Sequence, residues 1–176
     1  MKINVKKTSL PGVLLIERYA FTDFRGRYGE IYARDAYREA GINIDFKEQD
    51  FSVSRKNVLR GLHGDSKTWK LISCLHGSFY MVVLNFDRES KYFGKWEAFT
   101  LSPENQLQIL VPPKHGNGHL VLTDRAIFHY NQSEYYSGAE NQFTVRWDDS
   151  KFNIKWPISE KPILSKRDAE ATYITD

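Results

Sequence analysis

The chain has 176 residues, 41% hydrophobic and 27% charged, which is long enough to bury a core and too apolar for a disordered chain. Lys and Arg number 25 against 22 Asp and Glu, a formal +3. That small excess suits an anionic ligand but includes no basic run of the kind that binds nucleic acid. No apolar stretch approaches the roughly 18–20 residues that span a bilayer, and Met1 to Thr8 lacks the features of a secretory signal. The single cysteine, Cys74, excludes an intramolecular disulfide and a cysteine-rich zinc site. The expectation is one cytoplasmic domain over residues 1–176, with neither a membrane nor a nucleic acid as partner.

Taken along the chain, the first apolar run of strand length is Val13–Ile16. Ala33–Ala40 reads as a helix stopped by Gly41. The runs Asn57–Leu62, Leu71–Cys74, Phe79–Phe86, Ala98–Leu101, Gln108–Val111, His119–Leu122, Ala126–Tyr130 and Gln142–Trp147 follow. They are rich in β-branched and aromatic residues and bounded by Gly, Pro, Asn, Asp or Ser, which predicts strands. A short helical turn is expected at Ser165–Ala171. Many short strands with frequent turns predict an all-β antiparallel sandwich or barrel, the kind of fold that holds one ligand in its mouth. Neither G-x-G-x-x-G nor G-x-x-x-x-G-K-[ST] is present, so the dinucleotide- and ATP-binding classes that use those loops are not indicated.

Three segments carry residues with chemistry. In Val58-Leu59-Arg60-Gly61-Leu62-His63-Gly64-Asp65, strand parity puts Arg60 and His63 on opposite faces. A bend at Gly61 or Gly64 would bring both to one pocket. A guanidinium there suits phosphate and an imidazole suits proton transfer; a surface arginine and a structural histidine remain the other reading. The second segment, Pro112-Pro113-Lys114-His115-Gly116-Asn117-Gly118-His119, reads as a rigid turn entering a strand. His63, His115 and His119 raise the question of a metal, but the H-x-H pair of a metal-binding cupin is missing, so no metal is expected. His76 and His129 read as structural. The third segment, Tyr130 to Gly138, holds tyrosines that pack by default but can donate protons at a strand end. Near the C-terminus, Asp168 reads either as a turn residue or as a carboxylate that folds back to orient a histidine.

In this order, the segments resemble the dTDP-4-dehydrorhamnose 3,5-epimerase family. The match takes in Phe21-Thr22-Asp23-Phe24-Arg25-Gly26 with Glu30, Val58 to His63, Lys70-Leu71, Phe93-Gly94-Lys95-Trp96 and Leu101-Ser102-Pro103-Glu104-Asn105. It continues through Tyr130 to Tyr136, Trp147-Asp148-Asp149, Trp156-Pro157 and Leu164-Ser165 with Asp168. The resemblance implies a cupin β-jelly-roll in a homodimer, without cofactor or metal. It also implies epimerisation at C3, with or without C5, of a nucleotide-diphosphate-linked 4-keto-6-deoxy sugar, in deoxysugar and polysaccharide biosynthesis. It assigns His63 as base, Asp168 as its orienting partner, Tyr136 as proton donor across the sugar ring, and Lys70 to the C4 carbonyl oxygen. Arg25, Glu30 and Arg60 fall at positions that hold the nucleotide diphosphate or shape the sugar pocket. Glu48, Asp50, Asn117, His119 and Tyr130 are further candidates for binding.

Some positions depart from the family pattern. Phe-x-Gln-x-Asn is here Phe46-x-Glu48-x-Asp50, so two neutral amides have become carboxylates. A pocket histidine is replaced by Asn117, and an aspartate by Met81. The His-Gly-Asp-x-Lys-Thr wording resembles a branch acting on other nucleotide sugars, including GDP-linked 4-keto-6-deoxy-heptoses. The readings that compete with an epimerase are a ketoisomerase or metal-dependent cupin and a non-catalytic sugar-nucleotide-binding cupin.

Overall fold

The computed structural model describes residues 2–174; Met1, Thr175 and Asp176 of the single domain expected over 1–176 lie outside the described residues. The elements are β1 (Ile3–Lys7), β2 (Leu14–Arg18), β3 (Phe21–Asp23), β4 (Gly26–Tyr28), α1 (Arg34–Glu39), β5 (Glu48–Arg55), β6 (Leu59–Gly64) and β7 (Lys70–His76). They continue with β8 (Phe79–Asn85), β9 (Trp96–Leu101), β10 (Leu107–Val111), β11 (His115–Val121), β12 (Arg125–Gln132), a 3₁₀ turn at Ala139–Asn141, β13 (Phe143–Thr144) and α2 (Lys166–Ala169).

Two sheets face each other. One has the order β1-β2-β10-β7-β12-β5, the other β13-β6-β11-β8-β9, and β3-β4 forms a separate hairpin. The two inner faces meet in the main core, where Ile72, Cys74, Ile109, Val111 and Phe128 pack against Phe79, Met81, Val83, Leu101 and Val121. The alternate residues of β8, Val82 and Leu84, fill a second cluster with Val145 and Phe152 on the outer face. Because β8 is buried on both faces, it reads in the sequence as an unbroken apolar run. On the outer face of the larger sheet, α1 and its flanks seat Tyr37 and Ile42 on Ile16, Leu71 and Leu110. The helix ends where Gly41 takes φ +86°, a left-handed turn that costs glycine little.

The sandwich, both helices and the central strands agree with the sequence expectation. Strands β1, β3, β4 and β5 fall outside the runs expected as strands, and most expected boundaries move by a residue or more; three of these shifts bear on the site. Asn57 adopts φ +65° in a turn, so the strand expected from residue 57 begins at Leu59. The strand expected over Gln142–Trp147 shortens to Phe143–Thr144, although Val145 still exchanges backbone hydrogen bonds with Leu62 at 2.9 and 3.1 Å. The turn before β11 ends at Lys114, with φ +61°, so His115 to His119 already lie in the strand.

The site depends on an irregularity in β6. Asn117 of β11 stands opposite His63, yet His119, two residues on, stands opposite Arg60, three residues back. One extra residue in β6 breaks the two-residue alternation, as a bulge does, and turns Arg60 and His63 toward the same cavity. Gly61 sits at the bulge with φ +108°, and a Cβ there would lie 2.5 Å from the Asn117 carbonyl oxygen and 2.7 Å from the Gly118 Cα. Gly61→Ala is therefore expected to cost about 2 kcal/mol or more, lowering the thermal midpoint by roughly 4 °C or more for a domain of this size. A midpoint within 1 °C of the parent by circular dichroism would contradict the bulge geometry.

Candidate active site

Between the two sheets opens a cavity of about 270 Å³ whose lining includes Asp50, Arg60, His63, Lys70, Asn117, His119, Tyr130 and Tyr136. Strand parity explains much of this convergence. Glu48, Asp50, Ser52 and Ser54 share the inner face of β5, and Lys70 and Tyr130 share inner faces with core residues of β7 and β12. His63 and Arg60 join them through the bulge.

The dominant polar contact is between His63 Nε2 and Asp168 Oδ1, at 2.6 Å. Asp168 is only 2% exposed. Burial works to raise its carboxyl, but the hydrogen bond and charge of His63, the Ser165 hydroxyl and the Gly61 N–H together outweigh burial and hold it below the usual carboxylate range. An ionised carboxylate only accepts, so Nε2 carries the proton and donates it to Asp168. In the neutral ring this leaves Nδ1 with its lone pair, the arrangement a general base requires. Asp168 is held in turn by α2. The Ser165 hydroxyl donates to Oδ2 at 2.8 Å and accepts from the Asp168 N–H at 3.1 Å.

The cavity is cationic. Lys70 is nearly buried, and its Nζ lies 3.5 Å from Asn117 Oδ1 and 5.8 Å from the centre of the Tyr130 ring. Burial lowers its pKa, opposed by the charge of Asp65 and, more weakly, of Asp50, while Arg167 adds to the lowering. The Arg60 Nε donates to Ser54 Oγ at 3.0 Å. Arg167 and Gln142 also line the cavity, and the sequence reading missed both. The Arg167 guanidinium donates to Thr144 Oγ1 at 2.8 Å and to Gln142 Oε1 at 3.1 Å, while its buried Nη2 has no protein acceptor. The only sequence signal for it was its place beside Asp168.

His119 is buried and stacked on Phe128, with ring centroids 4.2 Å apart. Burial, with Arg60 and His63 nearby, pushes its pKa down to about 3, so it stays neutral and forms a wall. Tyr130 donates to Asp50, and burial, reinforced by the neighbouring carboxylates, raises its phenol. Asp50 is itself raised, first by burial and then by its contact with Glu48, against the pull of Tyr130 and Lys70.

Three of the expected residues stand apart from this cavity. Arg25 lies at the tip of the β3–β4 hairpin, paired with Asp23 at 2.6 Å. Glu30 follows that hairpin and is exposed. Glu48 shares the face of Asp50, but its carboxylate accepts from Gln132 Nε2 at 2.5 Å and from the Tyr136 N–H at 3.2 Å. His115 Nδ1 donates to the Pro113 carbonyl oxygen at 3.0 Å, and His115 does not line the cavity that holds His63. Among the described residues, no group of three or more His, Cys, Asp or Glu comes together as metal ligands, and no helix is long and apolar enough to cross a membrane.

A buried carboxylate orienting one imidazole, a phenol in the same cavity, a buried ammonium and two guanidiniums suit proton transfer on an anionic, oxygen-rich substrate. Comparison with known proteins points the same way. The family model for dTDP-4-dehydrorhamnose 3,5-epimerase matches residues 7–176. The dTDP-4-dehydrorhamnose 3,5-epimerase of Salmonella typhimurium is 37% identical over 97% of this chain and 94% of its own length. The crystal structure of a dTDP-6-deoxy-D-glucose-3,5-epimerase from Legionella pneumophila in complex with dTDP-4-keto-L-rhamnose superposes with a TM-score of 0.92, at 34% identity, over 97% of this chain and 92% of that one. A 3'-monoepimerase from Streptomyces bikiniensis in complex with dTDP-quinovose gives 0.88 at 28% identity, over 94% and 85%. The chain belongs to the dTDP-4-dehydrorhamnose 3,5-epimerase family.

Proposed function

We propose that this single domain epimerises a dTDP-linked 4-keto-6-deoxy sugar at C3 and C5, with His63 as base and Tyr136 as acid, in cytoplasmic deoxysugar biosynthesis. The observation that carries this reading is the sharing of one cavity by the His63–Asp168 pair and the Tyr136 phenol. The family match supplies the substrate class.

The chemistry follows from the residue types. The C4 ketone acidifies the hydrogens on C3 and C5. The Nδ1 lone pair of His63 removes one of them, and the electron pair moves onto O4 as an enolate. Lys70 sits where a cation meets that oxygen, and the interaction strengthens only as charge develops, so it lowers the barrier rather than tightening ground-state binding. Tyr136 then delivers its proton to the other face of the same carbon, which inverts it. The enolate reverts to the ketone, the imidazolium of His63 releases its proton to solvent, and the phenolate of Tyr136 recovers one. Arg60 and Arg167 suit the diphosphate. A non-catalytic binding protein would have no need to hold a buried carboxylate against an imidazole.

In D₂O, a dTDP-linked 4-keto-6-deoxy hexose is expected to gain deuterium at both C3 and C5, read by mass and NMR. His63→Asn should slow this by about 10²–10⁴-fold. Tyr136→Phe should still let deuterium into recovered substrate while suppressing inversion. No deuterium gain with the parent enzyme would refute the reading.

Lys70 loses its charge as pH rises through its lowered pKa, so turnover should fall on the alkaline side below the ordinary lysine range. Lys70→Met should drop turnover by about 10²-fold or more and abolish that alkaline limb. A limb unchanged in Lys70→Met would remove Lys70 from the O4 role.

We also propose the homodimer that the family resemblance implies. Phe24 is 98% exposed, with Phe21 and Tyr28 beside it on the hairpin that carries Arg25, and Phe51 and Val53 are exposed on the edge strand β5. Aromatic surface of this kind is what a second copy covers, and pairing would carry Arg25 and Glu30 away from their own fold toward a neighbour's cavity. Sedimentation equilibrium should give twice the chain mass for the parent and a shift toward one chain mass for Phe24→Asp. A monomeric, fully active parent would defeat this part.

A further inference from the structure

Base and acid are held very differently. His63 is fixed by a buried carboxylate, which is itself fixed by a helix cap. Tyr136 is 56% exposed and rides on the segment between β12 and β13, outside regular structure except for the 3₁₀ turn. Behind that segment lies a hollow of about 460 Å³, lined by Asp65, Thr68, Gln132, Tyr135, Asn141 and others, so packing does not fix the phenol from that side.

Few contacts tie the segment to the sheets. At its start, Ser133 exchanges hydrogen bonds with Trp69, at 3.0 Å through its own N–H and 2.9 Å through its hydroxyl. Glu134 pairs with Lys47 at 2.8 Å in an exposed ion pair, worth little by itself. At Tyr136 the contact is with Glu48. The Tyr136 N–H donates to the Glu48 carboxylate, 3.2 Å from Oε2 and 3.4 Å from Oε1, and Gln132 Nε2 donates to Oε1 at 2.5 Å. The cross-strand register explains why this carboxylate is well placed. Glu48 stands opposite Gln132, and Asp50 opposite Tyr130, so the inner face of β5 holds β12 and the acid-bearing segment together.

We propose that Glu48 is a positioning residue for the proton-donating step, holding the Tyr136 backbone so that the phenol faces the carbon opposite His63. A charged acceptor suits this task better than the amide the family pattern carries. Both of its oxygens accept, and a hydrogen bond to an ionised group is stronger than one between neutral groups. The inference rests on the proposed roles of His63 and Tyr136, and it differs from a nucleotide contact, which would act through substrate affinity.

The test is the ratio of deuterium returned to unreacted substrate to deuterium found in inverted product, measured with a dTDP-linked 4-keto-6-deoxy hexose in D₂O. His63 alone suffices for return of deuterium to the same face, whereas inversion requires a placed Tyr136. Glu48→Ala should raise the ratio about tenfold, toward the value of Tyr136→Phe, with KM within about twofold. Glu48→Gln, which keeps one acceptor, should fall between Glu48→Ala and the parent. An unchanged ratio with raised KM would overturn the proposal in favour of a nucleotide contact. An equal fall in exchange and inversion would overturn it in favour of a purely structural role. Absence of exchange in the parent would instead refute the proposed reaction, so the two failures are distinguishable.

Discussion

The buried Asp168 carboxylate is the constraint around which the rest of the site is built. A charge taken out of water must be met by donors, and here those donors come from distant parts of the chain: the His63 ring, the Gly61 N–H and the Ser165 hydroxyl. Satisfying it therefore brings the C-terminal segment onto β6. Further contacts follow the same path. Ile163 bridges beside Val58 and exchanges backbone hydrogen bonds with Asn57 and Leu59 at 2.8 and 3.0 Å. The Arg146 guanidinium takes the Ala169 and Ala171 carbonyls at 3.1 and 3.0 Å. The contact proposed to serve catalysis thus doubles as a closure of the fold.

Under the proposed roles of His63 and Tyr136, such a design puts stability and reactivity at the same place on the base side and separates them on the acid side. The imidazole must keep one tautomer and one orientation while it takes and returns a proton, which favours a buried, twice-bonded carboxylate behind it. The acid must meet solvent again after each turnover, which favours exposure. Exposure lowers positional order, and the proposed Glu48 tether at Tyr136 would restore part of that order without burying the phenol. The hollow behind the tyrosine segment is consistent with this division, because packing there would have traded solvent access for rigidity.

How much of this was legible in the sequence varies with what each residue faces. Strands whose two faces are both buried, such as β8, announce themselves by an unbroken apolar run. β5 did not, because its inner face carries Glu48, Asp50, Ser52 and Ser54 toward the cavity and its outer face leaves Phe51 and Val53 exposed; neither pattern matches a half-buried strand. The structure brings His63, Lys70 and Tyr136, which the quoted motifs carry, into one cavity, with Asp168 against His63. Strand parity alone would have parted Arg60 from His63, and the glycine between them was the only hint of the bulge that joins them. Arg167 escaped notice because a cation in a polar turn resembles any solvated residue until α2 is seen to turn it inward.

The same environment also decides which groups take no part in the proposed proton transfer. His119 shares the cavity with His63 and has the same ring, yet burial and the neighbouring cations keep it neutral, with its stacked face on Phe128. Tyr130 shares the cavity with Tyr136, yet burial and the carboxylate it serves keep its proton in place. Asn117 hydrogen-bonds Lys70 and does not titrate. Of the two imidazoles and two phenols in the cavity, burial thus holds His119 and Tyr130 in the forms that line the wall, which leaves His63 and Tyr136 for the proposed exchange. In the proposed reaction, selecting the pair by burial rather than by residue type lets the remaining polar groups shape the pocket without opening a second route for the proton.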